Sequence, residues 1–210
     1  MLSVGAGQSF GQTLLVTLSD QNSNPVEGAV VEILLPEDLK QRFQSQQNIA
    51  VDQLDKEFVP SVSTVVVGNE VSFPNSDAIL HHVYSFSPIN TFNIPLYGKA
   101  GQLEYSQEFA ISGVVEIGCN IHDWMLAYIY VAETNLSGIS NSEGVASVSG
   151  FPDGYFQLRV WHPRLSETNN SLVVDVEFSA DSSASLEFSL ELERDRRIRR
   201  APSSAKKRYR

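Results

Sequence analysis

Cysteine is almost missing from this 210-residue chain, in which Cys119 is the one thiol. A lone thiol excludes an internal disulfide framework and a zinc ribbon or finger. No run approaches the roughly 18 consecutive apolar residues that a membrane-crossing helix needs. Basic residues are scarce before Arg194, where six of them stand against 24 acidic residues for a net charge of −18. So acidic a body repels phosphate backbones, which argues against nucleic-acid binding by the folded part. A glycine-rich nucleotide loop, a nucleophile elbow and a second cysteine-histidine cluster are absent too, and the expectation is a protein that is not an enzyme. What is present is a chain 42% hydrophobic and 19% charged, able to bury a core and long enough for two small domains.

Short β-type runs recur along the whole chain. Residues 13–20 and 29–35 are two of them, separated by the turn-forming stretch 21–28, which predicts strand, turn and strand. Residues 37–47 are polar, with Leu39 and Phe43 four apart, and read as a joint formed by a short helix or a linker. Between residues 49 and 131 apolar runs of three to six residues follow one another, among them 64–67, 71–73, 82–86, 114–117 and 126–131. Spacing of this kind predicts a β-sandwich or barrel. After Glu133 the turn signals at 141–144 and 152–154 alternate with runs at 155–161, 171–178 and 184–192. The fold class expected is all-β.

The chemistry concentrates in Cys119-Asn-Ile-His122-Asp-Trp-Met125, directly after the apolar run that ends at Ile117. A strand end followed by a tight loop can turn a thiolate, an imidazole and a thioether toward one point. Soft sulfur with imidazole favours copper or zinc over hard cations, and two histidines with one cysteine and a long axial methionine form the electron-transfer copper arrangement. Asn75-Ser-Asp-Ala-Ile-Leu-His81-His82 supplies a second histidine from a distant strand. Alternation puts His82 with Tyr84 and Phe86 on one face and His81 with Val83 and Ser85 on the other, so periodicity does not choose between them. His162, without cysteine or histidine neighbours, reads as structural. Singly, each of these residues has an ordinary role as core filler or surface group; their joint order and spacing carry the metal reading.

These residues resemble a cupredoxin, the blue-copper sandwich of plastocyanin and amicyanin. In that family an asparagine stands six residues before the first histidine ligand, as Asn75 stands before His81, and the compact C-x-x-H-x-x-M loop is similar to amicyanin's. Residues 58–60, 65–68 and 71–75 also resemble the family's early strands. The resemblance implies His81, Cys119 and His122 as equatorial copper ligands, Met125 as the weak axial one, and Asn75 as a neighbour tying the two ligand loops together. Ile121 and Asp123 stand where amicyanin carries prolines, a departure that bears on potential and docking surface. Residues 16–31 look like the first hairpin of carboxypeptidase-regulatory-like or transthyretin-like sandwiches, and residues 144–160 like later strands of that fold. The expected organisation is a split sandwich of residues 12–36 plus 134–193, interrupted by a cupredoxin domain at 47–132 and followed by a basic tail at 194–210. The whole resembles the cupredoxin-containing proteins named for methylamine utilisation.

The function implied is one-electron transfer by one type 1 copper, with a redox protein as partner; the alternative is copper carriage or sensing with the flanking sandwich binding a partner. In the resembling family the exposed edge of the loop histidine passes the electron. Here that edge is His122, flanked by Ile121 and Trp124, and Asp123 favours a basic partner. Nine of the fifteen basic residues lie between Arg194 and Arg210, a block that reads as a solvated end or as an arm for an acidic partner, an anionic surface or nucleic acid. The amino end lacks a basic region and an apolar stretch, yet residues 3–11 look like the cleavage end of an export signal. The expectation is a gene that starts upstream of Met1 and a protein that is periplasmic or otherwise exported.

Overall fold

Residues 13–20 alternate as a half-buried strand must: Leu14, Val16 and Leu18 are fully buried while Leu15 points outward, because successive strand side chains take opposite faces. The computed structural model describes residues 12–98, 105–179 and 184–195; the expectations for residues 3–11 and for the tail beyond Asp195 lie outside the described residues. Within them the chain is built from strands, with one helical turn at Glu37–Lys40 running into a 3-10 turn at Gln41–Phe43, and another 3-10 turn at Thr168–Asn170.

The strand Thr13–Asp20 pairs antiparallel with Val145–Ser149 and parallel with Ala184–Leu190. Val30–Leu34 lies between Ser137–Ile139 and Gly154–Trp161, and Ser171–Phe178 completes that sheet. Leu14, Leu18, Ile33, Leu136, Phe151 and Leu158 are buried in the core these two sheets share. The intervening segment has a core of its own, centred on Val65, Phe73, Val83, Phe109, Ile117 and Ile129. Its larger sheet runs Val62–Val66, Leu126–Ala132, Gly113–Gly118, His81–Ser85, Phe92–Tyr97, and its smaller one Ser106–Phe109, Asn69–Ser72, Ile49–Ala50. Asp52–Leu54 and Glu57–Val59 form a separate hairpin.

The strand Phe92–Tyr97 carries Asn93 and Pro95 and has no place in the pattern read from the sequence. It sits at the edge of its sheet, where a proline's missing N–H leaves no ladder bond unmade. In the joint at residues 37–47 only Glu37–Phe43 is helical, and the joint holds the intervening segment's exit: the Lys40 ammonium lies 2.6 Å from the Glu133 carboxylate, the Gln44 amide donates to the Glu133 carbonyl, and the Asn135 amide donates to the Phe43 carbonyl.

The strand Leu126–Ala132 is buried on both faces. Ala127, Ile129 and Val131 enter the intervening segment's core, while Tyr130 and Ala132 meet Val30 and Trp161 of the flanking sheet. Glu32, at 1% exposure, sits at this junction. Its carboxylate accepts the Tyr130 hydroxyl at 2.6 Å, the Glu133 amide at 2.9 Å and the Arg159 guanidinium at 3.3 Å. Burial raises its carboxyl above the ordinary range, against the lowering effect of those hydrogen bonds.

Candidate metal centre

The arm that carries the first histidine is the strand His81–Ser85, in which His81, Val83 and Ser85 are buried and His82 and Tyr84 face outward. His81 is fully buried. His82 stacks with Tyr84, the ring centroids 5.5 Å apart, and its Nδ1 has no hydrogen-bond partner among the described residues. Of the two adjacent histidines, the structure brings His81 to the cysteine.

The second arm follows the strand Gly113–Gly118. The Met125 amide donates to the His122 carbonyl at 2.9 Å, and the Cys119 amide donates to the Met125 carbonyl at 3.3 Å, so the loop closes on itself and holds cysteine, histidine and methionine in one tight turn. Cys119 Sγ lies 3.6 Å from His122 Nδ1 and 4.0 Å from His81 Nδ1. The three donor atoms all lie within 4.8 Å of one another. A metal at ordinary bond lengths to sulfur and nitrogen separates them by about 3.5 Å at tetrahedral angles, near the two sulfur–nitrogen spacings here, and one thiol with two imidazoles is a donor set for a soft-to-borderline ion. Cys119 and Met125 are both buried, at 3% and 2% exposure, and both line an open cleft of about 470 Å³ that also touches Tyr84, Phe86, Glu116 and Asp123.

Electrostatics favour ligation on the loop histidine. Burial holds the His122 imidazole below its usual range, with the nearby His81 and Lys56 adding to that effect, and the neutral ring is the form that binds a metal. The His122 and His81 rings lie 4.9 Å apart, and His122 lies 5.3 Å from the indole of Trp124.

Asn75 fastens the chain that leads to His81. Its amide donates to the Ile79 and Tyr97 carbonyls, and its Oδ1 accepts the Asp77 amide. These bonds shape the 75–81 approach to His81 and fasten it to the neighbouring strand. The Cys119 loop is held by Trp124, whose indole N–H donates to the Lys56 carbonyl at 3.0 Å. Sequence reasoning missed Asp77: its Oδ2 lies 2.7 Å from His81 Nε2. A carboxylate four residues before a candidate ligand was the one available signal. Burial by itself would raise the Asp77 carboxyl, but hydrogen bonds from the Lys56 amide, His81 and the Asp55 amide bring it below the ordinary range. His162 is buried, with its Nδ1 accepting the Arg164 amide at 3.3 Å, and takes no part in the cluster.

No protein-family model matches the chain, and no curated protein does. Among solved structures it is similar to a purple cupredoxin from Nitrosopumilus maritimus, at 20% identity over 40% of this chain and 99% of that one (TM-score 0.36). It is similar to a point mutant of amicyanin in its oxidised state, at 24% identity over 40% of this chain and 81% of that one (TM-score 0.37). A third likeness is to a copper-containing nitrite reductase from Thermus scotoductus SA-01, at 22% identity, where 46% of this chain spans only 27% of the reductase (TM-score 0.38). The described residues are all-β, and these three solved structures, two cupredoxins and a copper-containing reductase, match 40–46% of the chain.

Proposed function

We propose that the chain binds one copper ion at His81, Cys119 and His122, with Met125 as a weak fourth ligand, and carries single electrons between redox partners. The observation that carries this reading is a buried thiol with two imidazole Nδ1 atoms at 3.6 and 4.0 Å, a donor set of one sulfur and two nitrogens that suits copper. Copper held there would alternate between its monovalent and divalent states. The protein's part is to keep the donors in place through that change: His81 is fully buried at the start of its strand, and the 119–125 loop is closed by its own backbone bonds. Ligands already near their final positions reorganise little, which is the requirement for fast electron exchange.

The route outward is His122, which is half-buried, beside Ile121 at 47% exposure. A basic redox protein would meet Ile121 and Trp124, with Asp123 adding attraction; export, to the periplasm or elsewhere outside the cytoplasm, belongs to the same reading. The copper-loaded protein is expected to cycle reversibly at an electrode, and Ile121→Lys to slow exchange with a basic redox protein while the visible spectrum stays unchanged. Irreversible cycling together with ready loss of Cu(I) to a mild chelator would replace electron transfer with copper carriage or sensing.

The same reading treats residues 47–132 as a domain inserted into the sandwich of 12–36 plus 134–193. Two separate cores and the adjacent ends of the intervening segment support it, since inserted domains have termini close together. A 47–132 fragment is expected to fold and bind copper; an unfolded fragment, by circular dichroism, would favour one fused sandwich.

A further inference from the structure

Asp77 sits where three stretches of chain meet, and its two carboxylate oxygens serve all of them. Oδ2 lies 2.7 Å from Nε2 of the fully buried His81 and accepts the Lys56 amide at 2.8 Å; Oδ1 accepts the Asp55 amide at 2.8 Å. Asp55 and Lys56 form the two-residue turn of the hairpin Asp52–Leu54/Glu57–Val59, with φ of +54° and +62°. L residues disfavour that conformation, and a primed hairpin turn ordinarily takes glycine or asparagine there. Here the Asp77 carboxylate accepts both turn amides. The carbonyl of Lys56 then accepts the Trp124 indole N–H, from within the 119–125 loop. Asp77 therefore links one ligand arm directly, through His81, and the other through the Asp55–Lys56 turn.

We propose that Asp77 is the positioning residue of the metal centre: it accepts a hydrogen bond from the protonated Nε2 of His81, leaves the Nδ1 lone pair facing Cys119, and braces the hairpin that ties down the Cys119 loop. This rests on the metal reading above. An imidazole can donate to a carboxylate only through a ring N–H, and with Nε2 donating, Nδ1 of the neutral ring is the free donor atom. A carboxylate behind a ligating imidazole also raises its basicity and favours the more highly charged metal ion. Asp77 thus sets both the direction of the ligand and the balance between Cu(II) and Cu(I).

The test uses the full chain with Asp77→Ala and Asp77→Asn. Nitrogen NMR of the metal-free parent should show His81 as the Nε2–H tautomer, with that proton protected from exchange; Asp77→Ala should lose the protection. In chelator competition Asp77→Ala should bind Cu(II) about 10–100-fold more weakly. Each tenfold loss in Cu(II) affinity beyond the loss for Cu(I) should raise the reduction potential by about 59 mV. Asp77→Asn retains an acceptor oxygen without the charge, so it should keep the parent's visible band and still show a raised potential. Should Asp77→Ala fail to fold, Asp77→Asn decides, and an unchanged potential there overturns the proposal. Parent-like tautomer, affinity and potential in Asp77→Ala would overturn it as well. A parent without a thiolate–copper band would defeat the metal reading, whereas the tautomer of metal-free His81 tests the positioning role without any metal.

Discussion

Replacing His81 by alanine should abolish the red-absorbing charge-transfer band of the copper-loaded protein or change it strongly, and weaken copper binding by at least about 100-fold, while His82→Ala leaves both near the parent values. The two residues are adjacent, but one residue along a strand reverses the face. His81 points into the core with Val83, its Nδ1 4.0 Å from Cys119 Sγ; His82 points out and stacks on Tyr84. An absorption spectrum and a chelator competition on each variant check the assignment. A colourless His82→Ala beside a coloured His81→Ala would reverse it.

The largest effect on stability should come from Glu32→Ala. The substitution leaves the Tyr130 hydroxyl, the Glu133 amide and the Arg159 guanidinium without their shared acceptor at the junction of the two sheets. A buried donor stripped of its partner costs about 1–3 kcal/mol, and breaking a buried charge pair costs about 3–5 kcal/mol. Because Arg159 keeps partial access to water, a loss near the lower figure, about 3 kcal/mol at neutral pH, is expected in urea unfolding. Glu32→Gln, which keeps an acceptor oxygen, should lose less. The raised carboxyl of Glu32 means that the folded state holds its proton to higher pH than the unfolded chain does. The proton-linked part of its contribution is fully present below the unfolded value and is lost as pH rises through the raised folded one, while the hydrogen bonds and the Arg159 contact remain. Glu32→Gln should remove that part of the pH slope; an unfolding curve whose midpoint is the same in parent and Glu32→Ala would contradict the role assigned to this junction.

Much of the fold was legible because period-two alternation survives in strands with one wet face. Residues 13–20 show it plainly, with Leu14, Val16 and Leu18 inward. It failed where the physics differs. Leu126–Ala132 is buried on both faces, so its apolar run could not announce that Tyr130 and Trp161 join the two cores. Phe92–Tyr97 was hidden by Pro95, which only an edge strand tolerates. The clustering of Cys119 and His122 was legible because one short loop holds both. The choice of His81 over His82 rested on a resemblance, since Phe86, on the outward face with His82, is apolar and yet 80% exposed. Asp77 and Lys56 were invisible for a different reason: they act through a folded turn and backbone groups, and a sequence does not display those contacts.

The visible spectrum of the full chain titrated with Cu(II), set beside Cys119→Ser, tests the central claim most directly. One equivalent of copper should produce an intense thiolate-to-copper band toward the red end of the visible in the parent, and Cys119→Ser should stay colourless. A parent that takes up zinc but develops no such band with copper would contradict the account.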